Sequence, residues 1–145
     1  MKVLIPVDGA ECSNGAFQSI TERAWSDDTE FLILSVQESP FLEYDVYPLP
    51  DGIIDRIRQY HESLVSAHLA TLKSRFPRNK VAGSVIEGDP RMAIVDVAKE
   101  SGADLIIMGS HGRGGLEKLL LGSIAEGVLR DAPCHVEVVK EKKTG

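Results

Sequence analysis

Residues 104–126 read Asp104-Leu105-Ile106-Ile107-Met108-Gly109-Ser110-His111-Gly112-Arg113-Gly114-Gly115-Leu116-Glu117-Lys118-Leu119-Leu120-Leu121-Gly122-Ser123-Ile124-Ala125-Glu126. The apolar run Leu105–Met108, bounded by polar or small residues, predicts a short strand buried on both faces. Glycines then cluster at Gly109, Gly112, Gly114 and Gly115, with another at Gly122. Ordering glycine costs more backbone entropy than ordering any other residue, so such a cluster marks a tight turn or a close approach. Ser123-Ile124-Ala125-Glu126 has the Ser-x-x-Glu spacing of a capping box, which predicts a helix carrying Val128 and Leu129 inward. Amides bared by a glycine-rich turn beside a helix start make an anion site.

Outward from this unit, the hydrophobic period switches repeatedly between strand and helix, as in an α/β protein with a mostly parallel sheet. The expected strands are Lys2–Val7, Phe31–Val36, Val81–Ile86, Leu105–Met108 and His135–Val139. Asp89-Pro90 opens a helix: Asp89 caps it, Pro90 takes the first position, and Gly102 stops it after Ile94, Val97, Ala98 and Ser101. A longer helix begins near Asp51 and carries Ile53, Ile57, Tyr60, Leu64, His68, Leu72 and Phe76 until Pro77. Another runs from a Ser13 cap through Ala16, Phe17, Ile20 and Ala24, with Trp25 packing beside it. Gln37–Pro50, with three prolines and three acidic residues, is expected to be an exposed connection. Such loops often cover ligand sites, and Tyr44 and Tyr47 could close over one.

The 145 residues fit one domain, expected over 1–145, and a hydrophobic share of 43% is too high for a disordered chain. No aliphatic run is long enough to span a bilayer, and Asp8 arrives before a signal peptide's apolar region could form. Sixteen basic against 22 acidic residues leave a net charge of −6, which argues against sequence-independent nucleic-acid binding. Lys140, Lys142 and Lys143 are read as a solvated tail. The two cysteines, Cys12 and Cys134, lack metal or dithiol spacing, so a reducing cytoplasm is expected.

Parallel strands place their carboxyl ends on one sheet edge, and ligands bind there where the winding reverses. The residues arriving at that edge are Asp8-Gly9-Ala10-Glu11, Gln37-Glu38, Glu87-Gly88-Asp89 and the glycine-rich turn. No Gly-x4-Gly-Lys-Ser/Thr occurs. The run from Gly112 fails the dinucleotide fingerprint, because Glu117 stands at the third glycine's place. By itself the turn indicates an anion.

Gly109-x2-Gly112-x9-Gly122-Ser123 resembles the Gly-2x-Gly-9x-Gly-Ser/Thr signature of nucleotide-binding universal stress proteins. The resemblance extends to Val3–Gly9, Glu87–Pro90, Asp104–Gly112 and Ala132-Pro133-Cys134, so it covers nearly the whole chain. It implies a single-domain, Rossmann-like open sandwich: five parallel strands in the order 3-2-1-4-5, flanked by four helices. It further implies a cytoplasmic homodimer through strand 135–139, binding ATP (or ADP or AMP) with Mg²⁺.

Carried onto this chain, the resemblance puts Asp8 near the ribose and phosphates, where it would meet the metal only through a Mg-nucleotide. Val7 and Val36 would meet the adenine, while Gly109 and Gly112 would let the chain approach ribose and phosphates. Gly122, Ser123 and Ile124 would present amides to the phosphates at a helix start, and Arg113 would add a cation. Pro6, Met108, Ser110 and His111 complete the implied binding set. Two residues depart from the family pattern: His135 stands where many members have proline, and Glu137 where many have an apolar residue. A carboxylate in the pairing strand is expected to weaken the dimer or to need a cation across from it.

Plainer readings compete at several positions. Asp8 could cap a helix, although Ser13 is better placed for that, and Ser123 could cap one, competing with phosphate for the same amides. Ser110 and His111, adjacent in a tight loop without an evident orienting acid, do not read as a hydrolytic pair. His61 and His68, two helical turns apart and lacking a third ligand, read as amphipathic surface or core edge rather than a metal site. Cys12 reads as packing. The function expected is a nucleotide-dependent regulatory or protective module with at most slow ATP hydrolysis. The alternatives are a non-nucleotide interaction module using Gln37–Pro50 and the strand-five edge, or an adenylate-handling hydrolase or transferase by fold analogy.

Overall fold

Strands apolar on both faces need a layer of helices on each side, and the computed structural model has that architecture. It describes residues 1–9, 11–38, 49–111 and 121–140. In chain order the elements are β1 (Lys2–Pro6), α1 (Glu11–Thr21), β2 (Glu30–Gln37), α2 (Ile53–Arg75), β3 (Lys80–Glu87), α3 (Pro90–Ser101), β4 (Leu105–Gly109), α4 (Ser123–Asp131) and β5 (His135–Val139). The five strands form one parallel sheet in the order β3-β2-β1-β4-β5, with Val3 opposite both Phe31 and Leu105.

Alternate strand residues feed two cores. Val3, Ile5, Phe31 and Ile33 pack with Phe17 and Ile20 of α1 and Val65 and Leu72 of α2. Leu4, Leu34, Ile106 and Met108 pack on the opposite face with Ile94, Val97 and Ala98 of α3 and Val128 of α4. Asp89 caps α3 by accepting from the Met92 amide at 3.0 Å, Pro90 takes the first helical position, and Gly102 ends the helix at φ 67°. These are the start and stop signals of the sequence, used as expected. Among the described residues, no helix is long and apolar enough to cross a membrane.

Several boundaries differ from the sequence reading. Helix α1 starts at Glu11, placing Ser13 inside its first turn, where its Oγ accepts from the Asp8 amide at 3.2 Å. Ser13 therefore holds the strand end behind it instead of capping the helix ahead. The helix ends at Thr21, short of Ala24, and Trp25 lies beyond it. The Trp25 ring meets Phe31 edge-on at 5.5 Å while its Nε1–H donates to the Ile20 carbonyl at 3.0 Å.

At α4 the backbone N-cap is Gly122, so Ser123 is the first helical residue, and among the described residues no side chain caps the helix. The expected capping box is displaced by one position and does not form. Leu129 is 42% exposed while Val128 is fully buried, so only Val128 points inward as expected. Strand ends shift by a residue: β1 stops at Pro6, and β2, β3 and β4 run on through Gln37, Glu87 and Gly109. The expectations for Tyr44 and Tyr47, Gly112 and Arg113, Lys142 and Lys143, and the Cys12 side chain lie outside the described residues.

Candidate functional site

The winding reverses between β1 and β4, so their carboxyl ends part and leave a crevice. On the β1 side the ladder runs one residue past the strand, with the Val7 amide donating to the Leu34 carbonyl at 2.8 Å. The chain then turns at Gly9, whose φ of +82° disfavours an L side chain. On the β4 side the Ser110 amide donates to the Val139 carbonyl at 3.0 Å, and the Gly122 amide to the Ser110 carbonyl at 2.7 Å. The second bond ties the start of the glycine-rich segment to the N-terminus of α4. The first three amides of a helix have no intrahelical acceptor, and no side chain of α4 caps them.

The crevice is a cavity of about 430 Å³. Its floor is made by strand ends: Pro6, Val7 and Asp8 from β1, Leu34, Val36 and Glu38 from β2, and Met108, Gly109 and His111 from β4. Pro90 and Ile94 of α3 and Ile124 and Ala125 of α4 form one wall. Arg56, Ile57, Tyr60 and His61 of α2 form the other, with Ser13 beside them. Apolar surfaces with a few convergent polar groups are what a small-molecule site offers.

The structure therefore brings Pro6, Val7, Asp8, Val36, Met108, Gly109, His111 and Ile124 together around one space. Ser110 sits behind it, 2% exposed, with its Oγ 3.2 Å from the His111 Nδ1. Gly122 and Ser123 start the helix that supplies the Ile124 and Ala125 wall, but neither is a lining residue. The α2 wall is what sequence reasoning missed. Ile57 and Tyr60 fit a core-facing stripe, and no local signal says that this stripe rises past the core to the ligand edge.

His61 and His68 occupy different surroundings on that helix. The His61 Nδ1 lies 2.6 Å from the hydroxyl of fully buried Ser35. The His68 Nδ1 lies 2.7 Å from the Leu64 carbonyl, its ring edge-on to Phe17 at 4.3 Å. Among the described residues, no group of three or more His, Cys, Asp or Glu side chains could hold a metal.

Residues 1–140 match the sequence profile of the universal stress protein family. The chain belongs to that family. Universal stress protein MJ0531 of Methanocaldococcus jannaschii is 34% identical over 145 residues, covering 98% of this chain and 83% of the relative. MJ0577, a universal stress protein of the same organism, has a solved structure that superposes with a TM-score of 0.86 at 26% identity, covering 99% of this chain and 97% of that one. A universal stress protein family member of Arabidopsis thaliana, solved with AMP bound, superposes with a TM-score of 0.63 at 20% identity, covering 98% and 92%. At that identity the likeness carries the shared fold.

Within this family fold, β5 is an edge strand, and its Glu137 is answered inside the chain. Both carboxylate oxygens accept from the Arg23 guanidinium, at 2.6 and 2.7 Å. The cation expected from across an interface is supplied by the residues following α1.

Proposed function

We propose that this universal stress protein binds an adenine nucleotide, ATP in the first instance, and acts as a nucleotide-dependent regulatory or protective module of the cytoplasm with at most slow hydrolysis. One observation carries the reading. Eight residues singled out from the sequence (Pro6, Val7, Asp8, Val36, Met108, Gly109, His111 and Ile124) line a single cavity at the reversal point of the sheet. A family member with AMP bound supports the ligand class.

In this reading the base lies toward the end of β2, against Val36, Pro90 and Ile94, and the ribose lies near Asp8 and Gly109. The phosphates meet the N-terminal amides of α4, where Gly122, Ser123 and Ile124 begin a helix that no described side chain caps. Arg113 and Gly112 belong to the same proposed set. Mg²⁺ fits as a metal carried in by the phosphates. Asp8 is an acidic residue of the cavity lining, the described residues hold no protein-built metal cluster, and Mg²⁺ is usually bound through one or two carboxylates plus phosphate oxygens. Such a metal would offset phosphate charge beside Asp8. We further propose a homodimer through β5, whose outer edge has no pairing strand among the described residues.

The test is extraction of nucleotide from the purified protein, followed by calorimetric titration with ATP, ADP and AMP, each with and without Mg²⁺. Saturable binding of at least one supports the reading. A folded sample that carries none and binds none ends it.

A further inference from the structure

Two consecutive residues of α2 reach the ends of two neighbouring strands. The Tyr60 hydroxyl donates to the Asp8 carbonyl at 3.4 Å, and the His61 imidazole bonds the Ser35 hydroxyl of β2. The two rings lie edge to face, with centroids 5.4 Å apart. From its other side, the Asp8 amide is held by the Ser13 Oγ at 3.2 Å. The peptide groups flanking Asp8 are thus gripped from α1 and α2 at once. The closeness of Tyr60 is built into the turn: a Cβ on Gly9 would run into its hydroxyl oxygen. Yet Tyr60 is 41% exposed, so burial alone does not account for where it sits.

We infer that Tyr60 is a positioning residue for Asp8, fixing the β1–α1 turn so that Asp8 keeps its place at the cavity wall. This rests on reading the cavity as a nucleotide site. A turn whose peptide groups are already held loses less backbone freedom when a ligand arrives, and ligand binding then retains that difference as affinity. His61, seated on Ser35, keeps the same helical turn against β2, so that Tyr60 approaches the Asp8 carbonyl at a set height.

The test combines a ligand-free readout with a binding cycle, using full-length wild type, Tyr60→Phe, Asp8→Ala and the double variant. Without ligand, Tyr60→Phe should speed amide hydrogen exchange at Gly9 and leave Leu4 and Ile107 unchanged. In titrations with AMP and Mg-ATP, Tyr60→Phe should weaken binding roughly 2- to 3-fold, the low end for one hydrogen bond, because 3.4 Å is long for an O–H···O contact. In the Asp8→Ala background the same change should have no effect, because the residue being positioned is absent. Equal losses in both backgrounds, or unchanged exchange at Gly9, would overturn the inference. A wild type that binds neither nucleotide overturns the functional reading, and the exchange result then decides the structural role of Tyr60 by itself.

Discussion

The Arg23 guanidinium and the Glu137 carboxylate are joined by two parallel hydrogen bonds between residues 114 positions apart, linking the segment after α1 to the middle of edge strand β5. Each side chain remains about one-third exposed, which limits what the pair adds to stability. Its other effect is on the strand. A paired carboxylate is less of an obstacle to a neighbour approaching the β5 edge than a bare one.

Arg23→Ala should therefore cost at most ~1 kcal/mol in urea unfolding, since exposed pairs contribute little. It should shift self-association toward monomer, and Glu137→Val in the same chain should restore it. Sedimentation velocity across a concentration series reads both effects. Unchanged association in Arg23→Ala would show that the pair has no bearing on β5.

Gly9→Ala places a side chain at a φ of +82° and against the Tyr60 hydroxyl. Left-handed backbone costs an L residue roughly 1–2 kcal/mol, and Tyr60 must also move. The expected result is a lower urea midpoint together with weaker nucleotide binding. Full stability would mean that the turn relaxes without penalty.

Ser123 separates capping from ligand contact. Because Gly122 holds the N-cap position and Ser123 makes no cap, Ser123→Ala should leave stability within about 0.5 kcal/mol, as surface changes usually do. A hydroxyl that meets phosphate should cost roughly 2- to 10-fold in ATP affinity when removed, with no loss for adenosine. Thermal melts and paired titrations of ATP and adenosine distinguish the two roles. A stability loss near 1 kcal/mol would restore the capping reading.

The Cys134 thiol is pushed above its ordinary range, first by burial and then by the nearby Asp104 carboxylate. The thiolate is the reactive form, so iodoacetamide should modify Cys134 more slowly near neutral pH than it modifies a free cysteine, with the rate rising only at more alkaline pH. The native state holds the thiol proton more tightly than the unfolded chain. The linked stability is thus complete below the unfolded pKa and is lost as pH rises from there through the folded pKa. Peptide mapping by mass spectrometry across a pH series follows this site separately from Cys12. Rapid alkylation at pH 7 would contradict it.

Elements with strong local signals were legible from the residues. The Asp89-Pro90 start and Gly102 stop of α3 lie where the sequence puts them, because a cap, a missing amide and a left-handed turn are settled within a few residues. Ser13 and Ser123 show where that logic gives out. Each sits within a turn of a helix start, and a shift of one or two residues in the boundary converts a cap into an internal position.

Legible in the residues alone were the alternation of strands and helices, the sheet edge to which Asp8, Val36 and Gly109 are delivered, and the likeness to a family whose strand order the structure shares. Those features rest on apolar periodicity and on spacings within one stretch of chain. It is the packing of the folded chain that raises α2 beside that edge, so that Tyr60 meets the carbonyl of Asp8 from 52 residues away and His61 meets Ser35 from 26. The same holds for Arg23 reaching Glu137. A helical stripe tells which face turns inward, but what that face meets depends on how far along the sheet the helix packs, and no local pattern encodes that distance.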